Sequence, residues 1–593
     1  MIVLGLSAYF HDAAAALVVD GEIVAAAQEE RFSRIKHDER LPTQAARFCL
    51  ERAGLRMADV DHVVFYEKPL RKLERILVTH LRELPRGAGQ FTRAMARWLT
   101  KRLWTQSEIC RELDCSPDQL LFCEHHLSHA ASSYLCSPFD DAAVLTVDGV
   151  GEWATTSIYA ARTDERGSSI DAIRELRYPH SIGLLYSSLT AYLGFEVNEG
   201  EYKVMGLAAW GEPRFEEEIR RICRIEPDGA LHVDGDYLCY ARHATKSFTP
   251  KLEALLGPAR VPGSPLSLPA RTDDDRRFAD VAASLQKVTE DCLLSLAREA
   301  HRATGSRRLC LAGGVALNSV ANRRIVEEGP FDEVFVQPAA GDAGGALGAA
   351  LWATHVVHGS HEGGGARPPR RAGLGHAFLG ADYDSDDIER FLADCRVEHV
   401  THTDDPSLFA AVAGRLARGQ VGGWLRGRFE WGPRALGGRS ILADPRDPGM
   451  RDRVNRKIKY RESFRPFAPA VLADEASRWF ALPERIDHLT PFMLSVVPVT
   501  EEGRARLPAV THVDGTARVQ TVIAGSDAPL AGLLEAFRAE TGVGVLLNTS
   551  MNLKDEPLCA SPAEAFGVFA RSDLDFLVLE RCVVDKTGRS LAA

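Results

Sequence analysis

Short apolar runs broken by polar, glycine-bearing loops set the pattern of the first 160 residues. Ile2 to Leu6 predicts a buried strand, and Ser7-Ala8-Tyr9-Phe10-His11-Asp12 a polar loop after it. Ala13 to Val19 and Glu22 to Ala27 predict two further strands joined at Asp20-Gly21, a dipeptide that marks a tight hairpin. The same order returns later: Ala142 to Val147 ends at Asp148, passes through Gly149-Val150-Gly151-Glu152, and enters a β segment from Ala154 to Ala161.

Two such openings imply an internal structural repeat, the layout of actin-like and hexokinase-like ATP-binding folds at the level of fold analogy. Between them, residues 69–115 carry Leu70, Leu73, Ile76, Leu77, His80 and Leu81 at helical spacing and predict a helical insertion. Ser181 to Phe195 predicts an apolar helix, Asn198 to Lys203 a polar loop, and Arg277 to Ala303 a long helix, while 225–273 has weak periodicity. Strands at Leu309–Ala312 and Glu333–Val336 then lead into Gly313-Gly314-Val315-Ala316-Leu317-Asn318 and Gly341-Asp342-Ala343-Gly344-Gly345-Ala346-Leu347-Gly348. Glycines where a strand turns into a helix let backbone N–H groups approach a phosphate, which makes Gly313, Gly314, Asn318, Gly341 and Gly344 nucleotide-binding candidates. Close small-residue packing is the alternative for Gly344 and Gly348. Residues 361–369, rich in Gly and Pro, read as a linker, and alternating helix and strand patterns follow to the end.

Composition narrows the class. A chain of 593 residues with 45% apolar and 26% charged content is globular and long enough for several cores. A net charge of −11 argues against general nucleic-acid binding. Twelve cysteines without a C-x-x-C pair fit reduced thiols, and no apolar run nears the roughly 20 residues of a membrane span, so a soluble cytoplasmic protein is expected.

Two stretches carry candidate chemistry. In Glu124-His125-His126-Leu127-Ser128-His129-Ala130, His125 and His129 meet on one face if the segment is helical, and with Asp148 they form an ordinary ligand set for iron or zinc. A surface helix that happens to bear histidines is the competing reading. From Trp424 to Pro469 the chain has twelve Lys/Arg against five Asp/Glu, among them Arg434, Arg439, Lys459, Arg461 and Arg465. Arginines held by Trp431-Gly432-Pro433-Arg434 and Arg465-Pro466-Phe467 suit a small phosphorylated substrate better than nucleic acid, because exposed stacking aromatics are missing. Polar clusters at 512–518, with Arg518, and 547–552, with Asn548, are further pocket candidates.

Taken together, the residues resemble the carbamoyltransferases of natural-product biosynthesis, the family of the tobramycin, cephalosporin, novobiocin and ansamycin enzymes and nodulation protein U. The resemblance rests on His11-Asp12, EHHLSHA at 124–130, VDGVGEW at 147–153, EGEYKVMGLA at 199–208, GGVALNS at 313–319, GDAGGALGAA at 341–350, WGPRALGGRSILADPR at 431–446, FRPFAP at 464–469 and LNTSMN at 547–552. It implies an α/β protein: an actin-like (ASKHA) carbamoyl-transfer domain at 1–365 and a threonylcarbamoyl-AMP synthase-like (YrdC-like) domain at 380–593. The second would form carbamoyladenylate from carbamoyl phosphate and ATP with magnesium, and the first would transfer the carbamoyl group to a hydroxyl of a small natural product. The resemblance further implies Lys36, Arg434, Lys459, Arg465, Arg518 and Asn548 at the carbamoyl phosphate and ATP site. It implies iron(II) or another divalent metal on His125, His129, Asp148 and Asp342, and His11 as general base. Three rivals compete: a tRNA-modifying threonylcarbamoyl-type transferase, an actin-like kinase or ATPase, and a non-catalytic sensor.

Overall fold

A computed structural model describes residues 1–586 except 83–94, 96–97, 99–101, 166, 244–245, 360–372, 463, 484, 486–487 and 527. The linker expected at 361–369 and the middle of the 69–115 insertion therefore lie outside the described residues. The chain divides into two compact units, one of Met1–Glu29 with Glu39–Gly375 and the other of Glu30–Asp38 with His376–Ala593. This differs from two continuous stretches: a nine-residue piece near the N-terminus belongs with the C-terminal unit.

The first unit holds two five-stranded sheets of the same design. In one, Ile2–Ser7, Ala14–Val19 and Glu22–Gln28 form an antiparallel meander, and His62–Phe65 then Leu120–Phe122 add in parallel on the free side of the first strand. In the other, Asp141–Val147, Ala154–Asp164 and Gly167–Arg177 form the meander, and Arg308–Ala312 then Glu333–Val336 add in parallel. The repeat read from hydrophobic patterning is thus a repeat of topology. The first hairpin turns at Asp20 and Gly21 with φ of 49° and 89°, the doubly positive pair of a tight primed turn.

Helices fill the space around the sheets. Pro69–Arg82 and Thr105–Leu113 are the described helices of the insertion. Ile182–Tyr192 starts at the Ser181 cap, and Asp273–Thr304 starts at the Thr272 cap and ends at Gly305 in the left-handed region. Two expectations are corrected. The polar run from Asn198 is helical from Glu201, at the start of Glu201–Ala208, and the glycine stretch after Gly341 is helical from Asp342, as Asp342–Trp352. The reason in the second case is packing. A Cβ at Gly348 would lie 1.8 Å from the Ser128 carbonyl, and one at Gly5 would lie 1.9 Å from the Ala346 carbonyl. Glycine is retained because backbone meets backbone on both faces of the helix.

The second unit is built on an eight-stranded mixed sheet. Its order is Val400–Thr401, Cys582–Asp585, Phe576–Leu579, Gly422–Leu425, Arg439–Ala443, Val545–Ser550, Ala468–Leu472 and Gln520–Val522. Helices Asp405–Ala417 and Ala531–Thr541 bury Leu408, Val412, Leu416, Leu533, Leu534 and Phe537 in a core shared with Trp424 and Leu442. No helix among the described residues is long and apolar enough to cross a membrane.

Gly348→Ala tests the packing argument. Alanine improves helix propensity by about 1 kcal/mol, but overpacking a backbone contact costs about 3 kcal/mol, so the clash wins. Calorimetry is expected to show the transition of the first unit at lower temperature; an unchanged transition would show that the helix has room to move.

Candidate functional site

His125–Tyr134 is a helix, and its i, i+4 spacing brings His125 Nε2 to 3.1 Å from His129 Nε2. Buried Glu152, from the VDGVGEW segment, supports the start of that helix: its carboxylate accepts from His125 N at 3.0 and 3.1 Å and from Lys68 N at 2.8 Å. Asp148 follows strand Asp141–Val147, and its Oδ2 lies 2.9 Å from His125 Nε2 and 3.4 Å from His129 Nε2. Asp342 is the first residue of its helix, with Oδ1 3.8 Å from His125 Nε2 and 3.6 Å from His129 Nε2. One donor atom from each of the four residues lies within 4.8 Å of the others.

This arrangement fits a divalent cation. Two imidazole nitrogens each about 2.1 Å from one ion stand roughly 3.0–3.4 Å apart, and the observed 3.1 Å lies in that range. Asp342 Oδ2 is buried without a hydrogen-bond partner. Two carboxylates converging on a nearly dry pocket call for positive charge. Burial disfavours a charged His129, yet Asp148 and Asp342 outweigh it and push the imidazole up to about 9. His126, between the two, faces elsewhere: its Nδ1 lies 2.7 Å from Thr146 Oγ1, a hydrogen-bonding role. Tyr66 had no sequence signal, yet its ring centroid lies 5.2 Å from that of His125 and its buried hydroxyl lacks a partner.

His11 sits in the loop after the first strand, between Tyr9 and Asp12 with φ of 77° and 52°. Non-glycine residues in that region are held there by their surroundings. Its Nδ1 lies 3.1 Å from Asp12 Oδ2. Burial alone would lower the imidazole; Asp342, Asp12 and Asp148 together raise it to about 10. Gly314 N donates to Asp148 Oδ1 at 3.1 Å, so this glycine loop orients a member of the cluster. Gly313 has φ of 88° and leaves no room for a Cβ, which would fall 2.2 Å from the Val147 carbonyl. Asn318 caps helix Ser319–Glu328 and exchanges two 3.0 Å bonds with Gln286, so its amide serves the fold. Gly341 precedes Asp342, whereas at Gly344 a Cβ would fall 2.2 Å from Ala339 O and Gln337 Nε2, the close-packing alternative.

In the second unit, cationic side chains converge. Burial and then the neighbouring Arg434 and Arg465 hold Arg518 well below the ordinary guanidinium range, and its Nε is buried without a partner. Lys459 is held well below the usual amine range by burial, Arg461, Arg465 and Lys36. Its Nζ donates to Ser550 O and Asn552 O, both at 2.8 Å, and to Asn552 Oδ1. These bonds, with one to Ser550 Oγ at 3.3 Å, tie the amine to the LNTSMN loop. Asn548 is buried in the sheet, donating to Gln520 Oε1 at 2.8 Å and Ala435 O at 3.1 Å. Arg439, from the same basic stretch, is wholly buried and donates to the carbonyls of Gly427, Ala381 and Ala560 at 2.8, 3.0 and 3.2 Å. Its neighbour Glu430, absent from the sequence candidates, accepts from the N–H groups of Leu436, Gly438 and Arg439 at 2.8, 2.7 and 3.1 Å. Together they shape the WGPRALGGRS stretch around Arg434.

Residues 2–351 match the family described as Carbamoyltransferase N-terminus, and residues 413–586 that described as Carbamoyltransferase C-terminus. The chain belongs to the carbamoyltransferase family. It is 45% identical over 616 residues to the uncharacterized protein sll1178 of Synechocystis, covering 99% of this chain and 97% of that one. It is 37% identical over 589 residues to nodulation protein NolNO of Sinorhizobium fredii, covering 98% and 80%. A third relative, the 3'-hydroxymethylcephem-O-carbamoyltransferase of Amycolatopsis lactamdurans, is 37% identical over 248 residues, 42% of this chain and 43% of that one.

Two measurements test the first cluster. Chelator-treated protein is expected to bind one divalent cation per chain, and His129→Ala to lose about 100-fold or more in affinity by calorimetric titration. A cation placed beside Asp148 and Asp342 offsets the charges that raise His11. The imidazole, followed by NMR, is therefore expected to titrate below about 10 once the cation is bound; an unmoved titration would place the cation elsewhere.

Proposed function

We propose that this carbamoyltransferase makes carbamoyladenylate from carbamoyl phosphate and ATP and transfers the carbamoyl group to a hydroxyl of a small natural product. The observation that carries the reading is the pairing of opposites in one chain. The first unit gathers two carboxylates and two imidazoles, a cation-binding set, and the second gathers Arg434, Arg465, Arg518 and Lys459, an anion-binding set. The duplicated sheet topology supports an actin-like first unit, and a YrdC-like second unit belongs to the same proposal.

In the second unit, Arg434, Arg465 and Arg518 bind the phosphate of carbamoyl phosphate. Like charges repel one another there, and a dianion placed among them offsets that repulsion. Lys36 adds to the same field. Water cleaves carbamoyl phosphate to carbamate and phosphate, and a carbamate oxygen then attacks the α-phosphorus of ATP, with magnesium and the guanidiniums offsetting charge as pyrophosphate departs. Lys459 holds Ser550 and Asn552 in place for this step.

In the first unit, His125, His129, Asp148 and Asp342 would hold a divalent cation, iron(II) being the family expectation. When bound it supplies positive charge to the nucleotide phosphate and to the carbonyl being attacked. The acceptor hydroxyl oxygen attacks the carbamoyl carbon, His11 takes the hydroxyl proton, and the bond to AMP breaks. His11 can accept that proton only when neutral, so compensation of Asp148 and Asp342 is a condition of its role. The glycine loops at 313–314 and 341 would face the nucleotide.

With carbamoyl phosphate and ATP alone, the protein is expected to release pyrophosphate before any acceptor is supplied. ADP as the nucleotide product would point to a kinase or ATPase instead. Arg518→Ala is expected to raise the KM for carbamoyl phosphate about 10- to 100-fold, the loss of one charge-assisted contact.

A further inference from the structure

Glu30–Asp38 follows strand Glu22–Gln28 in the chain yet belongs to the second unit. Glu30–Ser33 forms one helical turn whose Arg31 is only 2% exposed. Arg31 pairs with Glu30, and its Nη2 donates to Gly432 O at 2.9 Å. Glu30 Oε2 in turn accepts from His37 N at 2.9 Å, closing the segment on itself. Phe32 meets Phe429 edge-on, with ring centroids 6.2 Å apart. Arg34 donates to Leu558 O at 2.8 Å and Pro557 O at 2.9 Å, and pairs with Glu564 at 3.2 Å.

The places these bonds end are informative. Gly432 has φ of 102° and immediately precedes Pro433-Arg434, so a bond to its carbonyl fixes the turn from which Arg434 projects. Pro557 and Leu558 lie on the loop whose near end, Ser550 and Asn552, is held by Lys459. Arg34 and His37 both lie in the left-handed region, at φ of 60° and 54°. Neither is glycine, so this backbone shape persists because its surroundings enforce it.

We infer that Arg31 and Arg34 are positioning residues for the anion site of the second unit: Arg31 sets the turn that carries Arg434, and Arg34 sets the far end of the loop that Lys459 grips. Neither needs to touch a substrate. The same segment carries Lys36, so it contributes one charge to the site and fixes the placement of two others. This deepens the function proposed above and rests on it for the substrate, though not for the geometry.

The test uses the full chain in two arms. In the first, amide exchange followed by mass spectrometry compares the unmodified protein with Arg31→Met, Arg31→Lys and Arg34→Met, after circular dichroism has confirmed folding. Arg31→Met is expected to raise exchange in peptides covering 427–438, and Arg34→Met in peptides covering 553–560, with strand Ala468–Leu472 unchanged in both. Arg31→Lys, which keeps a donor near Gly432 O, is expected to restore protection in part. In the second arm, pyrophosphate release is measured. Arg31→Met is expected to raise the KM for carbamoyl phosphate about 10- to 100-fold while changing kcat less, as for a displaced binding group, and Arg31→Lys to recover part of it. Unchanged exchange at 427–438 in Arg31→Met would overturn the proposal, as would a kcat loss with KM unmoved. If the unmodified protein releases no pyrophosphate, the function proposed above fails, while the exchange arm still decides whether Arg31 and Arg34 hold these loops. Should Arg31→Met fail to fold, Arg31→Lys and Arg34→Met carry the same readouts.

Discussion

Helix Asp342–Trp352 can bring its first carboxylate to His125 and His129 only if it lies almost in backbone contact with helix His125–Tyr134, and Gly348 permits that approach against Ser128 O. On its other side, Gly5 gives the same closeness to the first strand of the first sheet. The metal-type cluster is therefore a result of helix packing before it is a matter of ligand chemistry. Four donors from three separate stretches converge because small residues remove the usual 8–10 Å spacing between packed elements. Glu152, at the start of the histidine helix, adds the electrostatic half of the same constraint by fixing where its first turn begins.

The two units place charge of opposite sign at their sites. Around the histidines, Asp148, Asp342 and Asp12 exceed the positive charge that burial tolerates, which is why His129 and His11 are drawn towards their protonated forms. In the second unit, the Arg518 guanidinium and the Lys459 amine are drawn towards their neutral forms. Each site is least comfortable alone and gains most from a ligand of the other sign. An opposite charge brought close to such a group favours its charged form.

Much of this was legible in the chain itself. Strand alternation, the Asp20-Gly21 turn and the recurrence at 142–161 gave the repeated sheets, because those signals are local. The i, i+4 histidines predicted their own meeting for the same reason. Legibility fails where a residue's partner is distant in sequence. Gly344 allows both a phosphate-loop and a packing reading in sequence, and no local pattern names the neighbours, Ala339 and Gln337, that press against it. Arg439 sits in a basic run, and nothing local shows that its hydrogens go to carbonyls as far away as Ala381 and Ala560. Asn318 reads as part of a nucleotide loop and Asn548 as part of a polar pocket cluster, while their amides bond to Gln286 and Gln520. The placement of Glu30–Asp38 was least visible, since every contact that defines it spans hundreds of residues.

That last feature has a consequence for how the chain is made. Synthesis runs from the N-terminus, so Arg31 and Arg34 leave the ribosome long before Gly432, Pro557 and Leu558 exist to receive them. The nine-residue piece waits as an unfilled plug while the strands on either side of it in sequence already have their partners in the first unit. The second unit closes only when nearly the last strand has emerged. A chain cut short before residue 432 lacks the carbonyls that receive both Arg31 and Arg34, and one cut between 432 and 557 lacks those of Arg34 alone, a mark by which an unfinished molecule differs from a finished one.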